Sequence, residues 1–146
     1  MIYTDMTKKA MIISYKAHDG QLDKGGVPYV FHPFHVAEQF NDEKHICVAL
    51  LHDVVEDTDV TIQDIVNYGF DDEIVQAVKC LTKPKGMDYF DYIEIVKTNP
   101  IAIRVKLADL EHNSMEGRLD YSDESTLARL SKYKKAKEIL ERELYK

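Results

Sequence analysis

Apolar residues recur along this chain at intervals of three and four, the spacing that lays one stripe down an α-helix. Ala10, Ile13 and Ala17 predict a helix over residues 6–18. Residues 19–31, DGQLDKGGVPYVF, predict a loop, with a short extended piece near residues 27–31. Pro33 suits the first position of a second helix, running to about Phe40, because its fixed φ is already helical. Residues 43–57 predict a helix that is apolar nearly all round, from Ile46 through Leu51 to Val54 and Val55, as in a helix buried at the centre of a bundle. Thr61 with Asp64 resembles a capping box opening a short helix to about Tyr68. Asp71 is expected to cap a helix over 72–82, and Lys83-Pro84-Lys85-Gly86 reads as a loop. Further helices are expected over 88–97, from Asn99-Pro100 to about Met115, and over 123–145 behind a Ser122 cap. In the last of these Leu127, Leu130, Ala136, Leu140 and Leu144 should face inward. No segment alternates convincingly with period two, so the chain is expected to be all-α, one helical bundle spanning residues 1–146.

Composition narrows the partners. Nineteen Lys and Arg against 26 Asp and Glu give a formal charge of −7. That balance disfavours a nucleic-acid polymer or an anionic membrane as the main partner, since both reward basic surfaces. It leaves room for a small anionic ligand held by a few lysines or by a metal. The longest wholly apolar run, Ile46 to Leu51, is far too short to cross a bilayer. The N-terminus, MIYTDMTKKA, lacks a secretory pattern. Cys47 and Cys80 lie in apolar-periodic stretches and read as reduced core residues of a cytoplasmic protein, not as a bridge. The sequence leaves the oligomeric state open.

Three clusters carry candidate chemistry. In ALLHDVVEDTD, residues 49–59, His52 and Asp53 end the buried helix, with Glu56 and Asp57 one turn on. Carboxylates there oppose the helix dipole, and burying them unpaired costs several kcal/mol each, roughly. A divalent cation would compensate them together. The plainer alternative makes Glu56, Asp57 and Asp59 solvated charges and His52 a satisfied core histidine. In VKLADLEHN, residues 105–113, the face marked by Ala102, Val105 and Ala108 turns Asp109 inward, with Asn113 one turn further. An inward aspartate needs a partner, and Arg104 or Lys106 could supply it without any metal. In PYVFHPFHVA, residues 28–37, His32 precedes Pro33 and is expected at a helix mouth, held out of the helical conformation. His32, His52, Asp53 and Asp109 thus come from three helices. Mixed imidazole and carboxylate ligands suit Mn²⁺, Fe²⁺, Zn²⁺ or Mg²⁺. Glu56 and Asp57 would then orient or deprotonate a metal-bound water.

These residues resemble the signature of the HD superfamily of metal-dependent phosphohydrolases: a histidine, a His-Asp pair and a distant aspartate. The resemblance is closer to the hydrolase domain of RelA/SpoT-type alarmone enzymes and their small stand-alone relatives. It rests on AHDGQLDKGGVPYVFHPFHVA (17–37), ALLHDVVEDTDVT (49–61), CLTKPKG with Tyr89 and Tyr92, VKLADLEHN (105–113) and YKKAKEIL (133–140). It implies an HD helical bundle, metal ligation by His32, His52, Asp53 and Asp109, usually with Mn²⁺, and Glu56 and Asp57 handling the attacking water. It also implies that Asn113 and Tyr133 touch the sugar and phosphates, and that Lys24 lies beside the base-binding loop. The implied reaction removes pyrophosphate from the 3′ position of ppGpp to give GDP. No synthetase domain is expected after the helix at 123–145.

Three positions depart from the long enzymes. Asp23 stands in place of an arginine that stacks on guanine, and Leu110 and Met115 stand where basic residues are usual. A carboxylate cannot replace a planar cation in stacking. The metal chemistry is left intact while guanine selectivity is not, and Lys83, Lys85 and Arg104 are the candidates to compensate. The competing expectations are an HD hydrolase for another small phosphorylated nucleotide, a metal-containing module that senses a nucleotide without turning it over, and a plain helical interaction domain.

Overall fold

Glu43–Leu51 forms the helix around which the others assemble, in a computed structural model that describes residues 1–115 and 124–146. Asp42 caps it by accepting a hydrogen bond from the backbone N–H of His45 at 3.1 Å. Ile46, Cys47, Val48, Ala49, Leu50 and Leu51 are all completely buried. Each fully buried aliphatic side chain of this run contributes roughly 1.5–3 kcal/mol. In chain order the helices are α1 (Asp5–Ala17), α2 (Phe31–Glu38), α3 (Glu43–Leu51), α4 (Val54–Asp57), α5 (Ile62–Asn67), α6 (Asp72–Leu81), α7 (Tyr89–Val96), α8 (Pro100–Asn113) and α9 (Glu124–Leu144). Helix α3 packs against α1, α2, α6 and α8, while α9 lies across α7 and α8. Among the described residues there is no strand, as the pattern predicted, and the expected extended piece is a single antiparallel bridge between Leu22 and Pro28. No helix of the described residues is long and apolar enough to cross a membrane.

Several local signals act as read. Thr61 and Asp64 form a reciprocal capping box on α5, and Asn99 accepts from the Ala102 N–H at the start of α8, where Pro100 is the first residue. Cys47 is buried, Cys80 half-buried, and both are free. Asp71 occupies the position before α6, but its side chain makes no capping bond. The Ser122 cap lies outside the described residues.

Three expectations need correction, and two of them build the site. The helix expected over 43–57 breaks at His52 and Asp53 into α3 and α4. Consecutive side chains on a continuous helix diverge by about 100°, so His52 and Asp53 could not both aim at one point. Asp53, at φ −104° and ψ −4°, turns the chain and brings its carboxylate beside the His52 ring. Helix α2 begins at Phe31, so His32 lies inside its first turn, not ahead of it, and donates its N–H to the Tyr29 carbonyl at 2.9 Å. Pro33 is tolerated as the third residue because first-turn N–H groups have no intrahelical partner anyway. On α9, Leu127 is 51% exposed, and Thr126 is buried in its place. The inward stripe runs Thr126, Leu130, Tyr133, Ala136, Leu140 and Leu144, which leaves Leu127 at its edge.

Candidate metal centre

Four side chains converge where α2, the α3–α4 break and α8 meet. His32, His52 and Asp109 are each no more than 3% exposed. One ligand atom from each of His32, His52, Asp53 and Asp109 lies within 4.8 Å of all the others. Nε2 of His32 is 2.7 Å from Oδ1 of Asp109 and 3.8 Å from Oδ2 of Asp53. Nε2 of His52 is 3.0 Å from Asp53 Oδ2 and 3.3 Å from Asp109 Oδ1. The sequence-predicted ligand set is thus brought to a single point.

Neighbouring groups hold each member in place. His52 donates from Nδ1 to the Ala49 carbonyl at 2.5 Å, which turns its Nε2 to the centre. Tyr29 donates its hydroxyl to Asp53 Oδ2 at 2.5 Å. Burial, then the Asp53 charge, pushes the Tyr29 phenol far above its usual range, so it remains a donor. Asp109 accepts from Asn113 Nδ2 at 3.1 Å and pairs through Oδ2 with Lys106 Nζ at 2.8 Å.

The electrostatics are those of a site that demands positive charge. Burial acts to raise Asp53, but the charge and hydrogen bond of His52 outweigh it and pull the carboxyl down to about 2. Burial likewise opposes ionisation of Asp109, yet Lys106, His32 and His52 hold it well below the carboxylate range. Burial would lower His52, and Asp53 with Asp109 lifts it well above the imidazole range instead. Two imidazole nitrogens and two ionised carboxylates packed this closely make a donor set that fits a divalent cation.

A cavity of about 220 Å³ opens directly onto Asp53 and Asp109. Glu56, Asp57, Lys83, Lys106 and Lys132 line it together with Tyr89, Tyr92, Tyr133 and Asn113. Glu56 accepts from the Lys83 backbone N–H at 2.8 Å, which ties the end of α4 to the loop after α6. Asp57 is pushed up to about 6, first by desolvation and then by repulsion from Asp53 and Glu56. His18 Nδ1 meets Gln21 Oε1 at 2.8 Å, and Gln21 donates to the Asp57 carbonyl at 3.0 Å, fastening the 18–30 loop to α4. A larger cavity, about 830 Å³ beside α1 and α5, holds none of the candidate residues.

The substrate-side expectations divide. Asn113 and Tyr133 line the cavity, as does Lys83. Lys24 is exposed on the 18–30 loop and is not among the lining residues, and Lys85 and Arg104 are exposed away from it. Asp23 accepts from the N–H groups of Gly25 and Val27 at 2.8 and 3.0 Å, so its carboxylate builds the turn of its own loop. Gly26 completes that turn at φ +83°, where a side chain would be strained. Leu110 is 2% exposed and packs in the core; Met115 is 43% exposed. With Leu130 they line a separate recess between α8 and α9. The sequence reading missed Tyr29, Lys132 and His112. Tyr29 could have been found one turn before His32, but Lys132 is one of several lysines on α9 that only the helix register distinguishes.

Comparison with known proteins agrees with this geometry. The family model described as HD domain matches residues 10–110. The chain is 36% identical over 145 residues to a GTP pyrophosphokinase of Myxococcus xanthus, covering 87% of this chain and 19% of that protein. It is 35% identical over 120 residues to the bifunctional (p)ppGpp synthase/hydrolase SpoT of Escherichia coli K12, covering 73% and 17%. The chain therefore spans less than a fifth of the length of these curated relatives. A solved structure of a metazoan SpoT orthologue, reported to hydrolyse ppGpp, matches with a TM-score of 0.70 at 22% identity, over 99% of this chain and 94% of that one. At that identity the likeness establishes the fold. With more than half of its residues matched by the family model and four side chains that could hold a metal ion brought together, the chain belongs to the HD domain family.

Proposed function

We propose that residues 1–146 form a single HD domain that hydrolyses a 3′-pyrophosphorylated nucleotide of the ppGpp type, releasing pyrophosphate. The observation that carries this is that Asp53 and Asp109 of the candidate metal cluster line a cavity that Glu56, Asp57, Lys83, Lys106 and Lys132 also line. At about 220 Å³ the cavity is smaller than the roughly 300–1,000 Å³ of a site enclosing a whole drug-sized ligand. It suits the pyrophosphate end of a nucleotide, with the nucleoside lying outside. Proteins of similar sequence carry the name guanosine-3′,5′-bis(diphosphate) 3′-pyrophosphohydrolase, which supports the same substrate class.

In this reading His32, His52, Asp53 and Asp109 hold a divalent cation, Mn²⁺ by preference. Such an ion lowers the pKa of a coordinated water and neutralises charge on a phosphoryl oxygen. Asp57, whose carboxyl is pushed up by desolvation and by the Asp53 and Glu56 charges, is placed to take a proton from the attacking water. Glu56, fixed by the Lys83 backbone, orients that water. Lys106 holds Asp109, while Lys83 and Lys132 face the anionic pyrophosphoryl group, and Asn113 and Tyr133 meet the adjoining sugar and phosphate. Water attacks the phosphorus attached to the 3′ oxygen, that P–O bond breaks, and the proton returns to the nucleoside hydroxyl.

A second reading, hydrolysis of another small phosphorylated nucleotide, draws on the base side. Asp23 is committed to its own turn and Lys24 lies outside the cavity, so neither is placed to select guanine. A sensor without turnover has no use for the Glu56–Asp57 pair. The decisive assay gives Mn²⁺-loaded protein ppGpp, its adenine counterpart and nucleoside 5′-diphosphates, and separates pyrophosphate from phosphate release. Pyrophosphate from either 3′-pyrophosphorylated substrate is expected. Phosphate release alone, or no turnover with metal bound, would overturn the assignment.

A further inference from the structure

His112 stands beside the cluster without belonging to its ligand set. Its Nδ1 lies 2.7 Å from Nδ1 of His32. The two rings are within 9° of parallel with centroids 5.0 Å apart, so they meet edge to edge in nearly one plane. His35, one turn after His32 on α2, stacks on the His112 ring at 3.9 Å and 19°. Helix α2 therefore supplies both the candidate ligand His32 and a brace for the residue behind it.

An imidazole that turns the Nε2 lone pair to a metal must carry its proton on Nδ1, and that N–H needs an acceptor. For His52 the acceptor is the Ala49 carbonyl, which no side-chain substitution removes. For His32 the His112 imidazole lies within hydrogen-bond distance of Nδ1, and it can accept there only as the neutral ring with its own proton on Nε2.

We infer that His112 is a positioning residue: it accepts the Nδ1 proton of His32 and so directs the His32 lone pair to the metal, with its own ring plane held by stacking on His35. This rests on the metal-centre reading above and is independent of the substrate.

The test uses the full chain and Mn²⁺ alone as the probe. His112→Phe keeps a flat ring against His35 but has no acceptor; His112→Leu removes acceptor and ring together. His112→Asn places an amide oxygen close to the position of the lost Nδ1. His112 is only half-buried, so the metal-free variants should melt near wild type. Mn²⁺ affinity, measured as free ion at equilibrium, should fall about 10–100-fold in the Phe and Leu variants, with the Asn variant restored close to wild type. In the diamagnetic Zn²⁺ form, ring ¹H–¹⁵N correlations should place the His32 proton on Nδ1 in wild type and in His112→Asn. Unchanged Mn²⁺ affinity in His112→Phe, or an Asn variant as weak as the Phe variant, would overturn the inference while leaving the metal centre standing. Failure of the wild-type protein to bind any divalent ion would take down the metal-centre reading, and this inference with it.

Discussion

The two sides of the cavity are built in different ways. The metal side is made of buried groups on helices that also form the core: His32, His52 and Asp109 project from α2, the end of α3 and α8, each anchored by fully buried neighbours such as Val36, Leu51 and Val105. The side proposed to meet the nucleotide comprises Lys83 after α6 and Lys132 and Tyr133 of α9, with Asp23 and Lys24 of the 18–30 loop lying beyond that lining. Asp23 is occupied by backbone N–H groups and Lys132 lies over the Tyr89 ring at 4.5 Å. Packing fixes the first side and local hydrogen bonds fix the second. For the proposed reaction, the bond-making chemistry should therefore be rigid and intolerant of change, while recognition of the rest of the proposed nucleotide should tolerate substitution.

The largest effect is expected from Asp109→Ala. It removes a proposed metal ligand and strips the counter-charge from Lys106, His32 and His52 at once. Truncating one partner of a buried ion pair costs about 3–5 kcal/mol. Metal binding and turnover should both disappear and the melting temperature should drop. Normal Mn²⁺ stoichiometry in a folded Asp109→Ala protein would show that the metal side is not built as described.

Next comes Glu56→Gln, which separates holding the metal from using it. Glu56 is exposed, lies outside the four-residue candidate ligand set, and is fixed by the Lys83 N–H, which an amide oxygen can still meet. Mn²⁺ affinity should stay near wild type while kcat falls about 10²–10⁴-fold. A near-normal rate at saturating metal would remove Glu56 from the water-handling pair.

The loop offers a smaller effect of another kind. Placing arginine at position 23 to restore a stacking cation is the obvious substitution from sequence, and taken alone it should lower KM for a guanine nucleotide. The structure changes that expectation, because Asp23→Arg also removes the acceptor for Gly25 and Val27. Each of those exposed bonds contributes about 0.5–1.5 kcal/mol. Asp23→Ala and Asp23→Arg should both cleave faster at the loop in limited proteolysis, with Mn²⁺ binding unaltered. A loop as resistant as wild type in both variants, together with a lower KM in the arginine variant, would restore the sequence expectation.

The same contrast explains what the sequence revealed. Ionisable residues on an apolar helix are costly and conspicuous, so His52, Asp53 and Asp109 could be picked out by spacing alone, as could the all-α fold. The break between α3 and α4 was not legible, because it is imposed by the need to aim adjacent side chains at one point and not by Gly or Pro. The first turn of α2 was misjudged because a proline at the third position is as acceptable as one at the first. On the nucleotide side the signals fail for a physical reason: Lys24, Lys85, Lys132 and Lys135 are alike as solvated lysines until the backbone decides which faces the cavity.

That ambiguity sets up the last and smallest prediction. Lys132 and Lys135 sit three apart on α9, both exposed and both over aromatic rings of α7, at 4.5 Å from Tyr89 and 4.7 Å from Phe90. Lys132 lines the cavity and Lys135 does not. The pair is an internal control, because each substitution removes one charge and one cation–π contact worth about 0.5–1 kcal/mol at an exposed site. Lys132→Gln should raise KM for a 3′-pyrophosphorylated nucleotide several-fold with little change in kcat, the pattern of a contact made equally in ground and transition states. Rising salt should narrow the difference, since an exposed charge is screened over about 10 Å at 0.1 M. Lys135→Gln should leave both constants near wild type while lowering the melting temperature by a similar small amount. Equal KM values in the two variants would mean that α9 contributes general positive potential and not a placed contact, and that the nucleotide side is looser than the register of Lys132 implies.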